Sequence, residues 1–277
     1  QEIKKTVETQ KQSYLETLET LVNIESGSKD IEGVNQIAKA VAERLKSTGA
    51  EVLIIQPNNR FKLDDTPEHT GPMVKGVLKG KGKSKIMLIA HLDTVYPKGM
   101  LKDQPFRIDG NKVYGLGILD DKQGVAAIIH ILEALKKLNY QDYGTITVLV
   151  NSDEEISSPG SRQLITETAQ DQDIVLSCEG GGKDGSLRLA TSGIGAAYLE
   201  IKGKSSHAGV KPEEGVNALT ELSHQIAQMQ NLSNAKTGLK LNWTVATAGK
   251  TRNVIPDVAS AQPHVRALHV EKKKKKE

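Results

Sequence analysis

Five short β-branched runs constrain this chain more than any other feature: "EVLIIQ" (51–56), "MVKGVL" (73–78), "KIMLIAH" (85–91), "GTITVLVN" (144–151) and "DIVLSCE" (173–179). Between them lie segments whose apolar residues recur at helical spacing, above all "KQGVAAIIHILEALKKL" (122–138), with a further helix expected around 160–170. Strands that alternate with helices indicate an α/β fold, a sheet covered by helices on both faces. Two amphipathic helices open the chain. Residues 3–23 set Val7, Tyr14, Leu18, Leu21 and Val22 at helical spacing, and "DIEGVNQIAKAVAERLKSTGA" repeats the pattern with Asp30 as cap and Gly49 as stop.

The character changes near "TSG" (191–193). A β-α-β-β series follows: "IGAAYLEIKGK", the helix "GVNALTELSHQIAQMQ" (215–230), then "LKLNWTVATAG" (239–249) and "DVASAQPHVRALHV" (257–270). Residues 1–192 are therefore expected to form one domain, 193–270 a smaller α+β unit, and 271–277 a Lys-rich tail. The 277 residues suffice for either one large core or two modest ones, and with two Phe and one Trp that core must be mainly Ile, Leu, Val and Ala. The tail "EKKKKKE" holds five Lys and two Glu, which accounts for the whole formal charge of +3. The remaining chain is neutral, which argues against a nucleic-acid surface, and the tail reads as solvated. A single cysteine excludes an internal disulfide and a Cys-rich zinc module. No stretch is long and apolar enough to cross a bilayer, and a chain beginning with Gln reads as a processed or trimmed form.

Ligands of doubly wound sheets bind beyond the carboxyl ends of the strands. There this sequence repeatedly places His and carboxylates: His91 and Asp93 in "IMLIAHLDTV", Asp120 and Asp121 in "VYGLGILDDKQG", Glu154 and Glu155 in "VLVNSDEE", and Glu179 in "VLSCEGGG". One histidine among several carboxylates makes an oxygen-rich site suited to one or two divalent cations. In a regular strand neighbouring side chains point to opposite faces, so Glu154 and Glu155 serve one site only if the strand stops before them. One can then bind metal while the other takes a proton. A cation brings the pKa of water towards about 7, and a carboxylate beside it can accept that proton as a carbonyl is attacked, so the pattern predicts hydrolysis. The His91-x-Asp93 spacing suits an aspartate that accepts a bond from the histidine ring and fixes its orientation. His130, among Ile128, Ile129, Ile131 and Leu132, reads as packing, and Cys178 is expected to be buried and turned away from any metal.

The segments "HLDTVYPKG", "YGLGILDDKQG", "DYGTITVLVNSDEE", "SSHAGVKPEEGVNAL" and "NVIP", in that order, resemble those of the M20 metallopeptidases. They are most similar to the bacterial glutamate carboxypeptidases of the carboxypeptidase G2 type, which remove C-terminal glutamate from folates and related N-acyl glutamates. The similarity runs from the first helix to about residue 269. It implies a zinc-exopeptidase-like mixed sheet with a smaller lid and dimerisation domain, and two zinc ions per subunit. By motif, His91 and Glu179 would bind one zinc, Asp120 would bridge both, Glu155 would bind the second, and Glu154 would be the general base. The Asp120–Asp121 peptide is expected to be cis. The resemblance also places His207 in the lid, polarising the scissile carbonyl across a homodimer, with Asn253 and Arg266 holding the substrate's carboxylate, for which Arg's bidentate fork is suited. It implies no nucleic-acid or membrane partner and a periplasmic or secreted location, with the cytoplasm as alternative.

The family continues beyond this chain, completing the lid, returning to the sheet and supplying a final histidine for the second zinc. The C-terminal part of the catalytic domain is thus expected to be missing and the second metal site incomplete, since His264 and His269 lie in the lid strand. The loop "GGGKDGSLR" departs from the family, leaving Lys183 and Arg188 as candidates to grip a glutamate side chain. Two readings stand beside release of glutamate: an M20 dipeptidase or N-acyl amino acid amidohydrolase, and a truncated, non-catalytic binding or dimerising module.

Overall fold

The structure, a computed structural model, describes residues 2–61, 66–182 and 184–268. Lys183, His269 and the tail 271–277 lie outside the described residues. The chain packs as two compact units, Gln1–Gly181 and Gly182–Glu277, and residue 192 falls in the second.

The first unit opens with α1 (Glu2–Thr9), α2 (Lys11–Val22) and α3 (Ile31–Ser47). The single helix expected over 3–23 is broken at Gln10, whose φ and ψ of −92° and 0° leave the helical region. The Thr9 hydroxyl turns back onto the Thr6 carbonyl at 2.7 Å, the local competition with helix bonding that Thr offers. Helix α3 starts where Asp30 Oδ1 accepts the Gly33 amide at 3.2 Å and stops at Gly49, whose φ is +101°.

Strands β1 (Glu51–Ile55), β2 (Met73–Lys79) and β3 (Lys85–His91) follow, then a hairpin of β4 (Arg107–Asp109) and β5 (Lys112–Tyr114). Helix α4 (Gln123–Lys137), β6 (Thr145–Asn151), α5 (Arg162–Gln170) and β7 (Ile174–Ser177) complete the unit. The sheet has the order β1-β2-β6-β3-β7, with β1, β2 and β6 antiparallel to their neighbours in turn and β6, β3 and β7 parallel.

Alternation along each strand splits the core in two. Val74, Leu78, Leu88, Ala90, Ile146, Val148 and Val150 pack with Leu21 of α2, Ile37 and Leu45 of α3, and Ile129 and Leu132 of α4. Met73, Met87 and Leu149 face the other way, onto Leu164 and Ile165 of α5. The sheet is therefore mixed and helix-covered on both faces, with an aliphatic core. Because the register sets His91 of β3 opposite Asn151 of β6, and Ile89 opposite Ser177 of β7, three parallel strands end at the same edge.

The second unit contains β8 (Gly193–Ala196), β9 (Leu199–Lys202), α6 (Ala218–Met229), β10 (Lys240–Ala248) and β11 (Val258–Ala267). Strand β11 pairs antiparallel with β10 on one side and with β8 and β9 on the other. Ala218 and Leu222 of α6 cover Ala259 and Ala261, and Asn217 caps the helix by accepting the Leu219 and Thr220 amides. Among the described residues no helix is long and apolar enough to cross a membrane.

Candidate metal centre

The shared strand edge carries the chemistry. Strand β3 ends on His91, whose ring is buried, and the chain continues at once to buried Leu92 and Asp93. Helix α4 is preceded by a kinked turn over Ile118–Lys122, with Asp120 and Asp121 in extended or irregular backbone and a cis peptide between them. Glu179 follows β7 by two residues. The result is a cluster of His91, Asp120 and Glu179 whose ligand atoms lie within 4.8 Å of one another. His91 Nε2 stands 2.9 Å from Asp120 Oδ1 and 3.5 Å from Glu179 Oε1. Donors around a tetrahedral ion with bonds near 2.0 Å lie about 3.3 Å apart, so these separations fit a small divalent cation with one nitrogen and two oxygens.

On the other ring nitrogen, Nδ1 lies 3.0 Å from the Asp93 carbonyl and 3.3 Å from its carboxylate. That arrangement leaves Nε2 aimed at the cluster. Burial alone would lower the His91 pKa, but the hydrogen bond and charge of Asp93, with Glu179 and Asp121, outweigh it and push it up to about 10. Asp121 is wholly buried; its carboxylate lies 3.4 Å from the His91 amide and accepts from Gln123 Nε2 at 3.2 Å. Burial and then the Glu179 charge raise it to about 8. Acids held this reluctantly are what a bound cation relieves.

Strand β6 ends at Asn151, and a single tight turn over Glu154–Ile156 follows, so the expected strand stop is present. The turn is fixed from below: the Glu154 amide donates to Asp93 Oδ1 at 3.0 Å and the Glu155 amide to Asp93 Oδ2 at 3.1 Å. Burial raises the Glu154 pKa against the opposing His91 charge, and burial followed by Asp120 takes Glu155 to about 7. Glu155 stands outside the three-residue cluster and lines an adjoining cavity of about 630 Å³, together with Gly27, Ser28, Thr94 and Tyr96.

Asp153, beside these glutamates in sequence, takes no part in the cluster. Its buried carboxylate accepts the Gly160 amide (2.6 Å), the Ser161 amide (3.1 Å), the Ser161 hydroxyl (2.5 Å) and Asn151 Nδ2 (3.2 Å). Cys178, only half-buried, packs at the edge of the core, and burial and Asp121 raise its thiol to about 11. Its carbonyl accepts from Gln123 Nε2 at 3.0 Å. Helix α4 approaches so closely here that a Cβ on Gly124 would meet the Cys178 carbonyl at 2.4 Å. His130 is a packing residue, bonded to the Thr17 hydroxyl at 2.9 Å and edge-on to Tyr14.

In the second unit, His207 and Val254 form a bridge, with the Ala208 amide donating to the Asn253 carbonyl at 2.9 Å. The "SSHAG" and "NVIP" segments are therefore neighbours. His207 Nδ1 accepts from the Gly209 and Val210 amides at 3.1 and 3.2 Å, which places the ring proton on Nε2. Arg266, exposed on β11, donates to His264 Nε2 at 3.0 Å, and Arg188 is also exposed.

Sequence reasoning passed over three buried polar residues. Ser28 lies outside the family-like segments and Lys122 inside "YGLGILDDKQG" without a role there; the Lys122 ammonium donates to the Ile24 carbonyl at 2.8 Å, and burial lowers its pKa to about 8. Asp153 was masked by its two acidic neighbours.

The profile of Peptidase family M20/M25/M40 matches residues 87–263. Carboxypeptidase G2 of Pseudomonas sp. (strain RS-16) is 44% identical over 255 residues, covering 92% of this chain and 60% of that protein's length. Aminopeptidase PepT from Bacillus cereus has a TM-score of 0.70 at 25% identity, over 94% of this chain and 67% of its own. A tripeptidase from Staphylococcus aureus has a TM-score of 0.72 at 21% identity, over 95% of this chain and 68% of its own, a likeness of fold.

Proposed function

The chain belongs to Peptidase family M20/M25/M40, and from that premise we propose that it is a zinc-dependent exopeptidase that hydrolyses the amide bond next to a free C-terminal carboxylate, releasing glutamate from folate-like or other N-acyl glutamates. The observation that carries this reading is the convergence of His91, Asp120 and Glu179 beside the turn that presents Glu154. Similarity to a carboxypeptidase at 44% identity supports the exopeptidase direction.

His91, Asp120 and Glu179 would hold one zinc, and Asp120 and Glu155 would be the carboxylates available to a second. A bound divalent ion supplies Lewis-acid activation of water and carbonyl. Glu154 takes the proton of the attacking water and delivers it to the leaving nitrogen. Burial raises its pKa above the ordinary glutamate value, the direction that suits a group that must both accept and give up a proton. Asp93 keeps the His91 ring in one orientation throughout. As the resemblance implies, His207 would act across a homodimer, offering its Nε2 proton to the carbonyl of a substrate on the partner subunit, and Asn253 and Arg266 would be the lid residues that hold the terminal carboxylate. By the same resemblance the second unit would pair the chain into a homodimer.

Release of glutamate from N-benzoyl glutamate, abolished by a chelator and restored by Zn²⁺, tests the reading. Turnover of dipeptides or N-acetyl amino acids with no release from benzoyl glutamate would replace the substrate and keep the chemistry.

A further inference from the structure

We propose that Ser28 is a positioning residue of the metal centre: its hydroxyl fixes the Asp93 carboxylate and, through it, both the His91 ring and the turn bearing Glu154 and Glu155. Ser28 is 5% exposed, and its Oγ lies 2.7 Å from Asp93 Oδ2 and 3.3 Å from the Thr94 carbonyl. One hydroxyl carries one proton, and the shorter contact to a charged acceptor is the stronger.

Among the described residues, every donor around the Asp93 carboxylate then has its place. Oδ2 receives Ser28 and the Glu155 amide, while Oδ1 receives the Glu154 amide and faces His91 Nδ1. Three of these donors belong to the site itself. Ser28 is the one that ties the carboxylate to a different part of the fold, the segment between α2 and α3. Rotation of the carboxylate would release both glutamate amides together and take its charge away from His91 Nδ1, leaving the ring only the Asp93 carbonyl, and the Ser28 bond opposes that rotation.

The chain is built to bring Ser28 there. Gly27 bridges Thr94, the Ser28 amide donates to the Thr94 carbonyl at 3.1 Å, and the Thr94 amide donates to the Ser26 carbonyl at 2.9 Å. The Ser26 hydroxyl adds a bond to the Leu92 carbonyl at 2.7 Å. The two segments run so close that a Cβ on Gly27 would lie 2.4 Å from the Tyr96 carbonyl, so this approach requires glycine.

The inference rests on the metal reading, and its test separates the two. Zn²⁺ affinity of the full chain is measured by competition with a chromophoric chelator for the parent, S28A, S28C and S28T, alongside thermal unfolding of each metal-free protein. Loss of a ligand's own outer partner weakens metal binding about ten- to a hundredfold; Ser28 acts through that partner, so S28A is expected at the lower end, about tenfold. S28T keeps the hydroxyl and is expected to restore parent affinity; S28C, nearly isosteric but a weak donor, falls between. Should S28A fail to fold, S28C against S28T carries the comparison. A purely structural serine would shift unfolding and leave zinc affinity alone, so S28A or S28C within twofold of a zinc-binding parent overturns the inference. A parent that binds no Zn²⁺ overturns the metal reading and this inference with it.

Discussion

Asp93 and His91 face each other in full burial, with the carboxylate 3.3 Å from Nδ1 and the Asp93 carbonyl 3.0 Å from the same nitrogen. Among the described residues, the groups that approach the Asp93 side chain can all act as donors, so a carboxylate satisfies each and an amide cannot. Asp93→Asn turns an NH₂ group towards donors and leaves at least one buried donor unpaired. Stability should fall by about 2 kcal/mol and zinc affinity about ten- to a hundredfold, measured by urea unfolding and chelator competition. An Asn variant that matches the parent in both would mean that the Asp93 carboxylate does not hold the ring, whose Nδ1 the Asp93 carbonyl still faces.

Glu154 is placed by its backbone amide and acts through its side chain. Glu154→Gln leaves the amide bond to Asp93 intact and removes the proton acceptor. We expect kcat for N-benzoyl glutamate to fall about 10²- to 10⁴-fold, with zinc stoichiometry unchanged by metal analysis. Parent-level turnover would remove Glu154 from the chemistry.

The metal-free site makes stability depend on pH. His91 is raised from 6.5 to about 10, so its contribution is fully present below pH 6.5 and is lost as pH climbs towards about 10. Asp121 is raised from 3.8 to about 8; the unfolded carboxyl ionises while the folded one keeps its proton, so stability drops across that interval as well. Both effects have one sign and overlap between pH 6.5 and 8. Thermal unfolding in chelator should show a falling midpoint across that window, and excess Zn²⁺ should remove the fall. A midpoint that stays level or rises in chelator contradicts the assignment.

Asp153 serves the scaffold. Asp153→Ala strands the Gly160 and Ser161 amides in a buried loop, and each unsatisfied donor costs about 1–3 kcal/mol. Urea unfolding should register a loss of at least about 2 kcal/mol, while zinc affinity at saturating folding conditions stays near the parent's. A variant as stable as the parent would refute this role.

The division between these neighbours shows what a sequence can reveal. The alternating strands and helices were legible, because burial on both sheet faces imposes apolar runs, and Asp30 and Gly49 marked the bounds of α3 as capping chemistry requires. That His91 and Glu179 lie at or just past strand ends was legible, whereas Asp120 joins them from the turn before α4. The break at Gln10 was hidden, since apolar spacing continues across it and only the Thr9 hydroxyl bond betrays it. Asp153 and Glu154 have the same charge and the same apolar approach. What separates them is where the Gly160 and Ser161 amides point, a consequence of tertiary packing. Ser28 and Lys122 were hidden for the same reason: their partners are backbone or side-chain oxygens 65 and 98 residues away.

Diffraction at the zinc absorption edge from crystals grown with Zn²⁺ tests the central claim most directly. The account predicts an anomalous peak at bonding distance, about 2.0–2.2 Å, from His91 Nε2 and from oxygens of Asp120 and Glu179. A zinc-soaked crystal with no peak there, and with those three side chains turned apart, would contradict it.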